Sequence, residues 1–299
     1  MHIGISRPPT PPHPIADVDG ALVARIAEEL GFESIFYGEH PIRPLEGPGY
    51  GVHADGVPFF QDTLVMLARA SGMTTRITLG SGVFLIPEHH PVLFAKQLAS
   101  LDFYSGGRLV VGAGVGWSRV ECELLGGNFD RRWAQAREAI QVMKRLWTEE
   151  TVTYEGEFFT VPPVQLYPQP ATRGGPPVLI GGRDSDLTLA RVVEFGDGWL
   201  PAFVTPETIA DGAATIRGAR QRLDRLAQEA GRDPASLQIS AIIRGDQIDG
   251  DLVPRAVVGR DVVRRFEDAG VQRVAVSLST LTSEQDARDA LERIAVSVL

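Results

Sequence analysis

The 299-residue sequence predicts an α/β fold of the (β/α)8, or TIM-barrel, class. Three observations carry this reading. Short apolar runs and longer segments of helical periodicity alternate along the chain, eight of each, which suits a closed barrel better than an open doubly wound sheet. Residues 77–117, ITLGSGVFLIPEHHPVLFAKQLASLDFYSGGRLVVGAGVGW, form a self-contained strand–helix–strand unit. Several strands end in glycine, at the end where a parallel barrel opens its site. One barrel domain over 1–299 follows, with loop insertions at about 41–58 and 148–176.

Each element rests on a local signal. Residues 2–6 read as strand one, and a proline-rich loop follows at 8–14. Helix one, 15–30, places Leu22, Ile26 and Leu30 on one face and stops at Gly31. Strand two, 34–38, ends in Glu39 and His40, and the 41–58 loop is rich in Pro and Gly, as functional loops often are. Helix two spans 61–73. Strand three is the apolar run 77–82. Pro91 then sits in the first turn of helix three, where its missing N–H costs nothing. Phe94, Leu98 and Leu101 share a face of that helix, Gly106 and Gly107 end it, and 109–113 is strand four.

Ala136, Ile140, Met143 and Trp147 give helix four its apolar face. Residues 152–159 then read as an antiparallel hairpin around Glu155 and Gly156, and 162–177 holds six prolines. The βα rhythm resumes at once, so 148–176 reads as an insertion over a core face, not a linker. Strand five is 178–181, its helix 184–195, strand six 196–200, and a long helix covers 207–230. Strand seven is 237–243, its helix 261–269, and strand eight 271–277. Ala287, Leu291, Ile294 and Val298 define the last helix.

Composition narrows the class. With 43% hydrophobic residues and a net charge of −9, the chain can bury a sizeable core and is too acidic for a nucleic-acid surface. There is no apolar run of about 18 residues, so no transmembrane helix is expected. No basic segment followed by an apolar one opens the chain, so no signal peptide is expected. Cys122 is the only cysteine, which excludes an internal disulfide and fits a reducing cytoplasm. The expectation is a soluble, cytoplasmic homodimer acting on a small molecule, with no nucleic-acid or membrane partner.

Barrel sites lie at the C-terminal strand ends. That selects Ser6 and Arg7, His40, the Gly82–Val83 step, residues 114–117, Gly181–Gly182–Arg183, and Arg244. His40 is the sharpest candidate, because imidazole can transfer a proton near neutral pH. Its plainer reading is a cap on a strand end. Gly80 and Gly82 mark a bulge or a close approach of backbone to ligand. The GxGxG at 112–116 clears a strand end either for a ligand or for tight strand–helix packing. Gly181 and Gly182 enter a helix through Asp184 and Ser185, and free N–H groups there bind phosphate. The alternative is an ordinary turn with Asp184 or Ser185 as N-cap. His89 and His90 are adjacent just before Pro91, where one reads as an N-cap, and His13 and His53 lack partners at ligand spacing, so no metal site is expected. Neither GxxxxGK[ST] nor GxSxG occurs, and GxGxG lacks the GxGxxG spacing.

Four stretches in order are AEELGFESIFYGEH (27–40), LGSGVFLIPEHHPVLFAKQLASLDFYSGGRLVVGAGVGW (79–117), PPVLIGGRDSDLTLARVVEFGDGWLP (176–201) and DAGVQRVAVSL (268–278). Together they resemble the bacterial luciferase-like superfamily, and within it the coenzyme F420-dependent branch. The second and third are the specific ones. The resemblance implies a barrel holding a flavin or the deazaflavin F420 at its C-terminal face. It implies a non-prolyl cis peptide at Gly82–Val83 against the ring, with Ser81, Gly112 and Gly114 among the cofactor-binding residues. It places the cofactor phosphate on Gly181 and Gly182, and makes Glu39–His40 the acid–His pair, with Glu39 on the cofactor and His40 beside the ring as the catalytic residue. One departure stands out. F420-dependent sugar-phosphate dehydrogenases carry a Glu directly after the strand-four glycine turn, where this chain has Trp117, and an indole is no general acid. The resemblance therefore implies an F420-dependent oxidoreductase moving hydride to or from a small organic substrate. The alternatives are an FMN-dependent monooxygenase using reduced flavin and oxygen, and a non-catalytic cofactor-binding barrel.

Overall fold

Strands that are apolar on both faces suit a parallel barrel, since one face packs inward and the other meets helices. In the computed structural model, which describes residues 1–7, 19–42, 44, 61–203, 206–243, 247–248, 251–252, 259–278, 281 and 283–299, eight such strands close a ring. They are β1 His2–Arg7, β2 Ser34–Tyr37, β3 Thr78–Ser81, β4 Leu109–Gly114, β5 Val178–Gly181, β6 Gly198–Leu200, β7 Gln238–Ile243 and β8 Arg273–Ser277. Each pairs in parallel with its neighbours in sequence, and β8 returns to β1 in the register Ile3↔Val274. Gly198 of β6 closes the last gap, pairing with Leu179 on one side and Gln238 on the other.

Alternation along the strands divides the core in two. On β2, Phe36 points into the barrel with Val110, Leu179, Leu200, Ile242 and Ala275, while Ile35 and Tyr37 face the helices. The Phe36 ring lies so close to the next strand that a Cβ on Gly80 would collide with it. Gly80 is thus a packing partner of Phe36. Outside the ring lie α1 Gly20–Glu29, α2 Thr63–Met73, α3 Pro91–Ser105, α4 Arg119–Leu124, α5 Arg132–Thr148, α6 Asp186–Phe195, α7 Pro206–Glu229, α8 Arg260–Asp268 and α9 Glu284–Val298. The predicted faces of α5 and α9 are buried throughout. Tyr37 ties β2 to α1 by donating its hydroxyl to the Gly20 carbonyl at 2.6 Å. Gly106 ends α3 in the left-handed region at φ 71°, where a Cβ is unfavourable.

The end of the barrel away from the strand C-termini is closed by an ion pair. Arg273 donates two hydrogen bonds to the Glu33 carboxylate, at 2.7 and 2.8 Å. Burial raises the Glu33 carboxyl, but the Arg273 hydrogen bond and charge, with Ser34 and Thr78, bring it below its ordinary value.

The 148–176 insertion is laid on the core as expected. Its hairpin, Val152–Glu155 paired with Thr160–Val164, is held by the Glu138 carboxylate of α5, which accepts the N–H groups of Glu157, Phe158 and Phe159. Further on, the buried Asp102 of α3 accepts from the Thr172 N–H at 2.7 Å and the Thr172 hydroxyl at 3.1 Å.

Boundaries differ where side chains cap. Asp19 caps α1 and Asp62 caps α2, so both helices start after them. Residues 15–18 of the expected helix one, the 8–14 loop and nearly all of the 41–58 loop lie outside the described residues. Strand three ends at Ser81, the Gly82–Val83 peptide is cis, and Phe84–Leu85 then adds a short pairing to β4. Helix α4 is an addition to the predicted order.

Candidate active site

The C-terminal ends of β2 to β5 bring together the His40 segment, the Gly82–Val83 step, the glycines of β4 and the Gly181–Gly182 turn. His40 follows β2 and is only partly exposed. Its Nδ1 lies 2.9 Å from Oε2 of Glu121, a carboxylate fully buried in α4. On the other side of the ring, the Trp117 indole N–H donates to His40 Nε2 at 3.3 Å. The two rings meet edge to face, 5.7 Å between centroids. Trp117 is half exposed, so the His40–Trp117 pair stands at the surface of the site while Glu121 lies beneath it.

Glu121 is placed by the helix it starts. Ser118 N-caps α4 by accepting the Glu121 N–H at 3.1 Å. That leaves the Glu121 side chain to turn inward, where Oε1 also receives the Ile42 N–H at 3.4 Å. The pattern Ser118-x-x-Glu121 is a helix-start signature. It was the one local sign of α4, and nothing in it pointed to His40, 81 residues away.

Glu39 and His40 are adjacent but serve different partners. Glu39 Oε2 accepts the Leu85 N–H at 2.6 Å and lies 3.0 Å from His89 Nε2. His89 in turn stacks on Phe94, with centroids 4.0 Å apart. His90 occupies the N-cap position of α3 but makes no capping bond, and its ring meets Phe159 edge-on. Among the described residues, no group of three or more His, Cys, Asp or Glu is arranged to hold a metal. His13, His53 and Arg244 lie outside the described residues, as does the Arg7 side chain.

A third buried acid, Glu88, lies near Glu39 and Glu121. Neither of its carboxyl oxygens has a hydrogen-bond partner among the described residues. Burial first, then the charges of Glu121 and Glu39, push its pKa up to about 8. Cys122 is fully buried beside this cluster, and burial followed by the charge of Glu88 pushes its thiol up to about 11.

The glycines at the strand ends have individual reasons. Ser81 is fully buried, and its hydroxyl donates to the Gly112 carbonyl and accepts the Gly112 N–H, both at 2.9 Å. This side chain continues the β3–β4 ladder, and a Cβ on Gly112 would run into the Ser81 backbone. Val83, just past the cis peptide, presses one methyl toward Gly114 and the other toward Gly181. Packing thus accounts for the bareness of Gly112 and Gly114.

The turn after β5 leads through Gly182 into the N-terminus of α6. A Cβ on Gly182 would sit 3.1 Å from the Thr188 side chain, which itself bonds Ser185, the N-cap of α6. Trp199 fixes the turn from below by donating its indole N–H to the Gly182 carbonyl at 3.0 Å. Asp184 is ion-paired with Arg222, which also approaches Asp186 at 3.5 Å, so its charge is balanced. The half-buried glycine, the helix N-terminus and the exposed Arg183 are compatible with a phosphate. These residues therefore fit a phosphate-bearing cofactor.

Known proteins share the sequence pattern and the fold of this chain. Residues 9–244 match the family model of luciferase-like monooxygenases. An uncharacterised protein of Mycobacterium tuberculosis is 31% identical over 285 residues, covering 93% of each chain. The F420-dependent glucose-6-phosphate dehydrogenase of Intrasporangium calvum is 32% identical over 220 residues, covering 67% of this chain and 61% of its own. Among solved structures, a monooxygenase from Streptomyces bottropensis shares the fold with a TM-score of 0.77 at 23% identity, over 99% of this chain and 98% of its own.

Proposed function

The chain belongs to the luciferase-like monooxygenase family, and on that premise we propose that it is an F420-dependent oxidoreductase moving hydride to or from a small organic substrate. The observation that carries this is the placement, at the same end of the barrel, of a partly exposed His40 after β2, the cis Gly82–Val83 step after β3 and the Gly181–Gly182 turn after β5. The F420 dependence of the Intrasporangium relative supports the choice of cofactor.

In this reading the backbone of Gly181 and Gly182 and the α6 N-terminus hold the cofactor phosphate. The Gly82–Val83 step supports the ring, and His40 exchanges a hydrogen bond or a proton at its edge. The deazaflavin, when bound, supplies hydride chemistry and the protein orients it. Sugar-phosphate dehydrogenation is not carried over from the relative, because Trp117 stands where that chemistry calls for a carboxylic acid.

A second reading, an FMN-dependent monooxygenase, is favoured by the family model. One experiment separates the two. The protein is co-expressed with F420 biosynthesis and the absorbance of released cofactor is recorded. F420 and FMN are then titrated against the purified protein, following intrinsic tryptophan fluorescence. Tighter F420 binding supports the proposal. Micromolar FMN binding without F420 binding, with oxygen consumption by the reduced complex, replaces it with the second reading. Binding of either without turnover would support a non-catalytic cofactor-binding barrel, and binding of neither would overturn all three readings.

A further inference from the structure

We propose that Glu121 is a positioning residue that holds neutral His40 with its proton on Nδ1, so that Nε2 is the lone-pair atom at the site. The inference rests on the reading of His40 as the proton-handling group, but its geometry stands independently. An indole N–H can only donate, so the Trp117 contact requires that His40 Nε2 accept. A neutral imidazole has one donor and one acceptor nitrogen, so the proton is on Nδ1. That nitrogen lies 2.9 Å from Glu121 Oε2, an acceptor when ionised. Two partners on opposite sides thus specify the same tautomer, and the fully buried one is the carboxylate.

The pocket makes this arrangement affordable. Glu121 has the Ile42 N–H on its other oxygen and the α4 backbone around it. Among the described residues, the titratable groups facing it are His40, Glu88 on the segment before α3, and Cys122 on its own helix, with Glu39 beyond Glu88. Glu88 holds its proton up to about 8, which spares the pocket a further buried negative charge. If His40 takes a proton at Nε2, the imidazolium it becomes keeps its Nδ1–H on Glu121, and the carboxylate offsets the new charge.

The test reads the tautomer directly and needs neither cofactor nor substrate. Nitrogen-15 correlation spectra of the histidine rings are recorded on the full chain where the imidazole is neutral, with His40 assigned by its loss in His40→Asn. The expected wild-type signature is a protonated Nδ1 and an unprotonated Nε2. In Glu121→Leu the ratio of Nδ1–H to Nε2–H should fall by at least about tenfold, the order expected for losing a hydrogen bond to a charged acceptor. If that variant does not fold, Glu121→Gln keeps an acceptor oxygen without the charge and should lower the ratio by a smaller factor. A wild-type His40 protonated on Nε2, or a ratio unmoved in the variant that folds, would overturn the proposal. Turnover of His40→Asn separately tests whether His40 acts on the ring at all, so the two readings fail independently.

Discussion

Val83 and Gly181 are fitted to each other: a Cβ on Gly181 would lie 2.8 Å from the Val83 Cγ1 methyl, and the second methyl is closer still to the position a Cβ would take on Gly114. One side chain thus explains why two strands end in glycine. It also explains why those glycines appear in sequence as a cleared strand end.

That fit predicts a coupling. Gly114→Ala adds a methyl where Val83 already is, and such overpacking typically costs about 1–3 kcal/mol. Val83→Ala removes the obstructing methyl. In denaturant titrations the double variant should recover at least about 1 kcal/mol relative to the sum of the single changes. Additive losses would mean that the barrel mouth relaxes around the new methyl and that Val83 is not the constraint.

The barrel was legible because its signals are local and repeated. Apolar runs such as 178–181 and 237–243 reappear as strands within a residue, since a strand buried on both faces is apolar over most of its length. The cis peptide at Gly82–Val83 was reached through resemblance, not through spacing. The site was only half legible. His40 stands out as an imidazole at a strand end, but its partner Glu121 sits on a six-residue helix between glycines, too short to show a period. Glu39 carries the same difficulty in reverse. It adjoins His40 in sequence, yet its carboxylate is engaged by Leu85 and His89, contacts 46 and 50 residues away that no local pattern announces.

The Gly181–Gly182 turn yields a binding prediction. A valine at 182 would crowd Thr188, and with it the Ser185 cap that begins α6. Gly182→Val should therefore weaken cofactor affinity by at least about tenfold, roughly 1.4 kcal/mol. The check is a fluorescence titration on protein shown to be folded by circular dichroism. Unchanged affinity in a folded variant would remove the phosphate assignment.

Glu88 predicts a pH dependence. Its carboxyl is raised in the folded protein to about 8 from an ordinary 4.5, so between those values the native state binds more protons than the unfolded one. Stability must then fall as pH rises through that window, and the contribution is fully present only below it. Glu88→Gln cannot ionise. Relative to wild type it should gain stability from about pH 5 to about pH 9, by an amount on the order of a few kcal/mol. Chemical denaturation of both proteins across that range measures the difference, in which the titration of all other groups largely cancels. A flat difference would show that the carboxyl ionises as readily when folded as when unfolded.

His40 predicts a split between turnover and binding. Replacing it with alanine would leave Glu121 as a buried carboxylate without its imidazole partner, and the loss of stability would confuse the result. Asparagine is the fairer change, because its amide keeps an N–H donor near the position of Nδ1 but cannot take up a proton. If His40 transfers a proton at the ring edge, His40→Asn should lower turnover by about 10²–10⁴, the usual range for general acid–base catalysis. Cofactor affinity should move by less than about tenfold, since in this reading the phosphate turn on β5 and α6 carries most of that binding. Trp117 supplies the structural counterpart. Its indole N–H now takes the Nε2 lone pair, so a reacting group at Nε2 requires that contact to lengthen when cofactor and substrate are bound. A structure of the complex should show the imidazole within about 4 Å of the ring system, a distance that admits hydrogen bonding after small adjustment. An imidazole still paired with Trp117 and turned from the ring, together with near-normal turnover in His40→Asn, would reduce His40 to a cap on strand β2.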